Sequence, residues 1–210
     1  MIPDDVSWIA DRAGTLGVPI SDDVATSLSL LMREVLRFNE RINLIAPCSP
    51  KEAVERHLLD SLAMLRLVDR HDVNQGLTHW FDVGTGGGLP GLVWAIARPS
   101  LSLTLVEPVG KKRALVKRLA QQWSPGNTTV VQSRLENLPT PDGPVGAVSR
   151  AVFAPDEWVR RAEKWAVSGS VILATMGRKV HADVLGRAVA IDRFTLPESG
   201  AQRVNALILL

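Results

Sequence analysis

The sequence has no tyrosine, one cysteine, no internal repeat and no low-complexity tract. A single thiol, Cys48, excludes an internal disulfide framework and cannot by itself build a zinc site, which points to a reducing compartment. No apolar run reaches the ~20 residues that a bilayer span needs. Met1 to Arg12 carries Asp4, Asp5 and Asp11 and lacks the basic region and apolar core of a secretory signal, so a cytoplasmic location is the expectation. What is present is ordinary for a globular protein: 46% hydrophobic and 22% charged residues in 210, enough for one good core and a small appended unit. The formal net charge of +2 conceals an asymmetry. Residues 1–27 hold five acids against Arg12, a net of −4, which leaves +6 for the remainder.

The first part of the chain reads as helical. Ser21 caps a stripe of Val24, Leu28, Leu31, Val35 and Phe38 at three- and four-residue spacing. Ser49, Pro50 and Glu52 form an N-cap, a first-turn proline and a capping box ahead of Val54, Leu58, Leu62 and Leu65. The polar segment from Asp69 to Thr78, with Gly76, connects to the remainder. The expected organisation is a helical extension over 1–75 packed on a core domain over 76–210. From His79 onward strands alternate with helices. Strands are expected near Trp80 to Val83, Leu101 to Glu107, Thr129 to Gln132, Val145 to Ser149, Val171 to Thr175 and Val204 to Leu210, the last paired with Arg193 to Leu196. Such alternation predicts an α/β fold, a doubly wound and mostly parallel sheet covered on both faces.

The most informative stretch is Gly84-Thr85-Gly86-Gly87-Gly88-Leu89-Pro90-Gly91, between an apolar strand and the helix-forming run from Leu92. A glycine loop between strand and helix lets a flat ligand approach backbone amides. Glu107 closes the next strand, where a carboxylate accepts hydrogen bonds from ribose hydroxyls. Gly86, Gly88 and Gly91 match the spacing of a dinucleotide loop, which leaves a nicotinamide-dependent oxidoreductase as one reading. Gly84 and Thr85 intervene, however, and Asp82 stands directly ahead of the loop. A carboxylate there opposes a pyrophosphate and favours a cationic sulfonium. Asp82, Gly84, Gly86 and Gly88 follow the acid-x-Gly-x-Gly-x-Gly pattern of Rossmann-like methyltransferases, and S-adenosylmethionine is the expected cofactor.

Ligands in doubly wound sheets bind beyond the carboxyl ends of the strands. The first two strand ends offer the loop, with Leu89 flanking the ligand, and Glu107. The third offers Leu135 and Glu136 to an adenine, although Glu136 reads equally as part of a solvated turn. The fourth ends in Arg150, which, if half-buried, needs a carboxylate or phosphate partner. His57, Asp60 and Ser61 share a helix face at i, i+3 and i+4, turned toward the cofactor mouth or to solvent. Lys111, Lys112, Arg113, Lys117 and Arg118 form a basic helix face that suits a polyanion such as RNA and equally a plain solvated face. Three chemistries lack their parts. Cys48 lies in an N-terminal loop, away from the place of a pyrimidine-attacking thiolate; no Asn/Asp-Pro-Pro-aromatic element orients an exocyclic amine; nothing resembles a nucleophile elbow. Guanine N7 carries an in-plane lone pair and no proton to lose, so placement alone suffices and no acid–base residue is needed.

Further along the chain, Asn39-Glu40-Arg41-Ile42-Asn43-Leu44, His57-Leu58-Leu59-Asp60-Ser61-Leu62, Asp82 to Gly91, Gly110-Lys111-Lys112, Arg134-Leu135-Glu136 and Ser149-Arg150-Ala151 follow one another in order. With these segments the sequence resembles the RsmG family, also called glucose-inhibited division protein B, over nearly its whole length. The resemblance implies a Rossmann-like class I methyltransferase with a seven-stranded sheet. It implies a cytoplasmic bacterial enzyme, expected to act as a monomer, that methylates N7 of one guanine of 16S ribosomal RNA near the decoding region. Loss of such an enzyme is associated with altered response to streptomycin-type antibiotics. Cofactor contacts are implied at Gly84, Leu89, Leu135, Glu136 and Arg150. A non-catalytic RNA-binding or ribosome-assembly factor on the same fold is the remaining alternative. Two features depart from the family pattern. Met176 stands where a lysine is usual, with Arg178 or Lys179 as stand-ins, and the usual basic C-terminus is replaced by Ala206 to Leu210. RNA contacts are therefore expected at His57, Asp60, Lys111, Lys112, Arg113, Arg178 and Lys179.

Overall fold

A computed structural model describes residues 6–70, 76–124 and 126–210. Asp4 and Asp5, the expected boundary at 75/76 and the middle of the 69–78 connection lie outside the described residues. Helix α1 (Val6–Thr15) is followed by α2 (Asp22–Ile42), where the Ser21 hydroxyl accepts from Val24 N and Ala25, Leu28, Leu31, Met32 and Val35 are buried. Asn43 ends α2 with φ 50°, a left-handed conformation that its short polar side chain tolerates. The capping box is formed as expected: Ser49 Oγ accepts from Glu52 N, and the Glu52 carboxylate accepts from Ser49 N at 2.9 Å. From there α3 (Pro50–Ala53) does not run on as a regular helix. It widens into a π-helical segment (Val54–Leu59) before α4 (Asp60–Val68).

The remainder comprises β1 (His79–Val83), α5 (Gly91–Ala97), β2 (Ser102–Val106), α6 (Gly110–Trp123), β3 (Thr128–Val131), β4 (Gly146–Ser149), α7 (Pro155–Trp165), β5 (Val171–Met176), α8 (Ala182–Gly186), β6 (Ala190–Thr195) and β7 (Gln202–Leu209). The seven strands follow the order β3-β2-β1-β4-β5-β7-β6. β1 to β5 are parallel, and β7 runs antiparallel to both neighbours. Both faces are covered, as near-continuous apolar strands require. On one face Ile9, Leu28, Leu58, Leu62, Trp80, Trp94 and Leu119 join a single core, so the N-terminal helices, α5 and α6 pack together there. Every residue of α5 is buried, and Trp94 meets Trp80 edge-on at 5.5 Å. On the other face Trp158, Val159, Ala162 and Trp165 of α7 cover Ala147, Ile172 and Ile208. The chain direction across the sheet reverses between β1 and β4, which opens a crevice at their carboxyl ends.

Candidate active site

That crevice is a cleft of about 1030 Å³, lined by the glycine loop, Glu107 and Pro108, the loop Asn43 to Cys48, the π-helical turn, Arg150 to Val152 and Arg203. Its floor is organised by two acids. Asp82, fully buried, accepts from Thr85 Oγ1 at 2.6 Å and from Gly91 N at 2.9 Å with the same oxygen, and so ties together the two ends of the loop. Burial pushes its carboxyl up to about 6, against the opposing pull of those two hydrogen bonds and of Arg150. Its other oxygen has no partner among the described residues. Gly91 belongs to the same arrangement: a β-carbon there would lie 2.1 Å from Leu105 Cδ2 and 2.9 Å from the Asp82 carboxylate. Glu107, 4% exposed, accepts from Gly86 N at 3.0 Å with one oxygen and from Val109 N at 2.9 Å with the other. Each oxygen keeps a lone pair for a hydroxyl in the cleft.

The side of the cleft facing this floor is built from cations. Asp60, buried, accepts from Arg150 Nη1 at 3.2 Å, and Arg203 Nε of β7 lies 3.2 Å from its other oxygen. The second pair is off the hydrogen-bond line and acts by charge alone. Arg150 also donates to the carbonyl of Arg56, and its Nη2 lies 3.4 Å from His57 Nδ1. Burial first, then Arg150, Arg56 and Arg203, push the imidazolium of His57 down to about 4, so the ring is neutral at physiological pH. The third wall is the loop after α2, whose Leu44 N and Ile45 N both donate to Asn39 Oδ1, at 2.6 and 2.9 Å.

A second cavity of about 260 Å³ adjoins the cleft through Gly84, Pro108 and Val152 and reaches Leu135, Glu136 and Phe153. Val152 stands between the two; a β-carbon on Gly84, whose φ is 76°, would come within 2.4 Å of it.

The structure thus brings Gly84, Gly86, Leu89, Glu107, His57, Asp60, Lys112 and Arg150 to one cleft, with Leu135 and Glu136 in the adjoining cavity. Others fall elsewhere. Asp82 and Gly88 lie beneath the loop and do not line the cleft, because the Asp82 carboxylate turns inward to the loop amides. The anion that Arg150 needs is Asp60 of the chain itself. Glu136 is exposed and pairs with Arg161, as a solvated turn does. Lys111, Arg113, Arg178 and Lys179 line neither cavity. Ser61 leaves the shared face: at the start of α4 its hydroxyl bonds back to the carbonyl of His57 in the π-helical segment, and its own carbonyl accepts from Trp94 Nε1 at 2.7 Å.

Sequence reasoning missed Arg56, Arg203 and the loop Asn43 to Cys48 as wall residues. Arg203 had a signal, a lone cation at the start of an apolar strand. Cys48 lines the cleft, yet burial, with Glu52, raises its thiol above the usual range and keeps it protonated, a poor nucleophile. Among the described residues no cluster of three or more His, Cys, Asp or Glu is placed to hold a metal, and no helix is long and apolar enough to cross a membrane.

Known proteins agree with this architecture. Among solved structures, an O-methyltransferase from Bacillus cereus in complex with SAH superposes with a TM-score of 0.56 at 15% identity, covering 85% of this chain and 90% of that one. The N-terminal domain of human METTL16 in complex with SAH does so with a TM-score of 0.55 at 12% identity, covering 99% and 95%. At such identities these matches establish the fold. The family model described as rRNA small subunit methyltransferase G matches residues 25–194. A protein of that name from Myxococcus xanthus is 34% identical over 95% of this chain and 94% of its own length, and one from Leptothrix cholodnii is 32% identical over 98% and 93%. The cleft therefore lies in a chain that belongs to the rRNA small subunit methyltransferase G family.

Proposed function

We infer that the chain transfers a methyl group from S-adenosylmethionine to N7 of a guanine in 16S ribosomal RNA. The observation that carries this reading is the floor of the cleft, where Glu107 holds Gly86 N in place and keeps lone pairs directed into the space beside the loop. The residues present fit the cofactor. Glu107 suits its ribose hydroxyls, and the apolar walls of the smaller cavity, with Leu135 and Phe153, suit its adenine. Val152 between the cavities bars a β-carbon at Gly84 and so keeps the backbone open there. Arg150, held by Asp60, keeps a half-buried charge at the cleft for the carboxylate tail. Asp82 supports the cofactor indirectly, by fixing the loop.

When bound, the cofactor supplies a sulfonium methyl group, which takes the N7 lone pair without any proton transfer. The chain's share of the work is placement. A cleft of about 1030 Å³ exceeds what a nucleoside-sized ligand alone occupies, which leaves room for a base beside it. Lys112, Arg56 and Arg203 give its rim the positive charge that an RNA backbone needs. The family name supports an rRNA of the small subunit as substrate; we take the small ribosomal subunit or an assembly intermediate as its context and a cytoplasmic monomer as the acting species. A nicotinamide enzyme is disfavoured by the family and by the methyltransferase neighbours of the fold.

The test is transfer of labelled methyl from S-adenosylmethionine to small subunits lacking the modification, followed by cleavage mapping for N7-methylguanine. Label at one guanine is the expected outcome. Cofactor binding without label would instead favour a non-catalytic role on the same fold.

A further inference from the structure

Among the described residues His57 is the one imidazole lining the cleft, and its contact with Arg150 assigns its tautomer. Arginine has donors only, so the approach of Arg150 Nη2 to His57 Nδ1 at 3.4 Å makes Nδ1 the acceptor. Arg150 is not free to turn away: Asp60 and the carbonyl of Arg56 hold its other terminal nitrogen, each at 3.2 Å. The charged groups around the ring are Arg56 and Asp60 on its own helical turn, Arg150 beyond β4 and Arg203 on β7. Burial first, and then three cations against one shared carboxylate, keep the imidazole neutral. Its proton therefore resides on Nε2, and no described residue accepts from that nitrogen. The cleft thus holds a neutral, fixed N–H donor on a half-buried ring, in a π-helical turn, an irregularity that recurs at functional sites.

We propose that His57 is a specificity-determining residue of the base subsite: its Nε2–H donates to O6 of the guanine whose N7 receives the methyl group. This rests on the methyl-transfer reading above and deepens it. Guanine presents two acceptors on that edge, N7 and O6, whereas adenine presents N7 beside an amine donor. A donor fixed next to the reacting nitrogen accepts the first and opposes the second. N7 carries a lone pair and no proton, so the ring is asked only to donate a hydrogen bond and not to act as a base. Asp60 and Arg150 act here as positioning residues that set the tautomer.

The test uses small subunits reconstituted with guanosine or 2-aminopurine riboside at the methylated position, since 2-aminopurine keeps N7 and lacks O6. Wild-type protein should prefer guanosine by roughly 10- to 100-fold in kcat/KM, the size of one lost hydrogen bond to a fixed partner. His57→Phe should lose about that factor on guanosine, show little preference between the two bases, and keep its calorimetric affinity for S-adenosylhomocysteine. His57→Gln, which places an amide N–H near the position of Nε2, should recover most of the preference. A purely packing role would impair both bases equally and give no rescue by glutamine. Undiminished preference for guanosine in His57→Phe, or equal losses in Phe and Gln variants, would overturn the assignment. Wild-type protein inactive on guanosine subunits would overturn the methyl-transfer reading itself, and this assignment with it.

Discussion

The floor and the facing wall of the cleft solve the same problem, an acid out of water, in opposite ways. On the floor Asp82 and Glu107 are held by neutral donors, Thr85 and Gly91 for the first, Gly86 and Val109 for the second, all within or between the loops that end β1 and β2. On the wall Asp60 is held by Arg150, 90 residues later, and, by charge alone, by Arg203 of β7, the last strand. A carboxylate bonded to backbone amides shapes a loop. One shared between two arginines keeps positive charge at a site that a polyanion enters. The first arrangement needs only the ends of β1 and β2 and the loop after β1; the second exists only once the sheet has closed, because β4, β7 and the π-helical turn must all be in place.

The comparison breaks most severely at Asp60. Asp60→Ala leaves Arg150 and Arg203 half-buried without their anion, and should cost roughly 3–5 kcal/mol in urea unfolding. A cost near zero would show that the arginines reach solvent instead. The next effect lies on the floor and depends on pH. Folding raises the Asp82 pKa to about 6 from an ordinary 3.8, so the folded state favours the protonated form. That contribution is complete below about pH 4 and is lost as pH rises through 6. Wild type should therefore lose about 2–3 kcal/mol relative to Asp82→Asn between pH 4 and pH 7, read as a narrowing or reversal of their difference in thermal unfolding. Smaller again is Thr85→Val, which removes one donor from Asp82. It should cost about 1 kcal/mol and move the pH midpoint of the wild-type effect upward. The smallest is Glu136→Ala, where an exposed pair with Arg161 is lost; less than about 1 kcal/mol is expected, screened further by salt.

The same contrast explains what was legible in the sequence. Strand alternation, the Ser49 capping box and the glycine loop are local patterns, and the sheet, the capped helix and the floor of the cleft follow from them. The π-helical turn has no local signature, since Val54 to Leu62 keeps a helical spacing of apolar residues while the backbone widens by a residue. For that reason His57 and Asp60 fall at the cleft as expected while Ser61 turns into the core. Asp82 illustrates another limit. Its position ahead of the loop is readable, but the direction of its carboxylate is set by Thr85 and Gly91. Arg203 acts at a distance, from β7 onto the Asp60 carboxylate, and Asn39 acts locally by holding the loop five and six residues on; neither role is written in the periodicity of apolar residues.

The division between a cofactor floor and a substrate wall is tested most directly by calorimetric titration of S-adenosylhomocysteine into Glu107→Ala and His57→Phe, side by side with wild type. Glu107→Ala should bind at least about tenfold more weakly, the loss of charged hydrogen bonds to ribose, while His57→Phe stays within about twofold of wild type. Unchanged affinity in Glu107→Ala together with a large loss in His57→Phe would contradict the division and place the ribose, and not only the carboxylate tail, against the arginine wall.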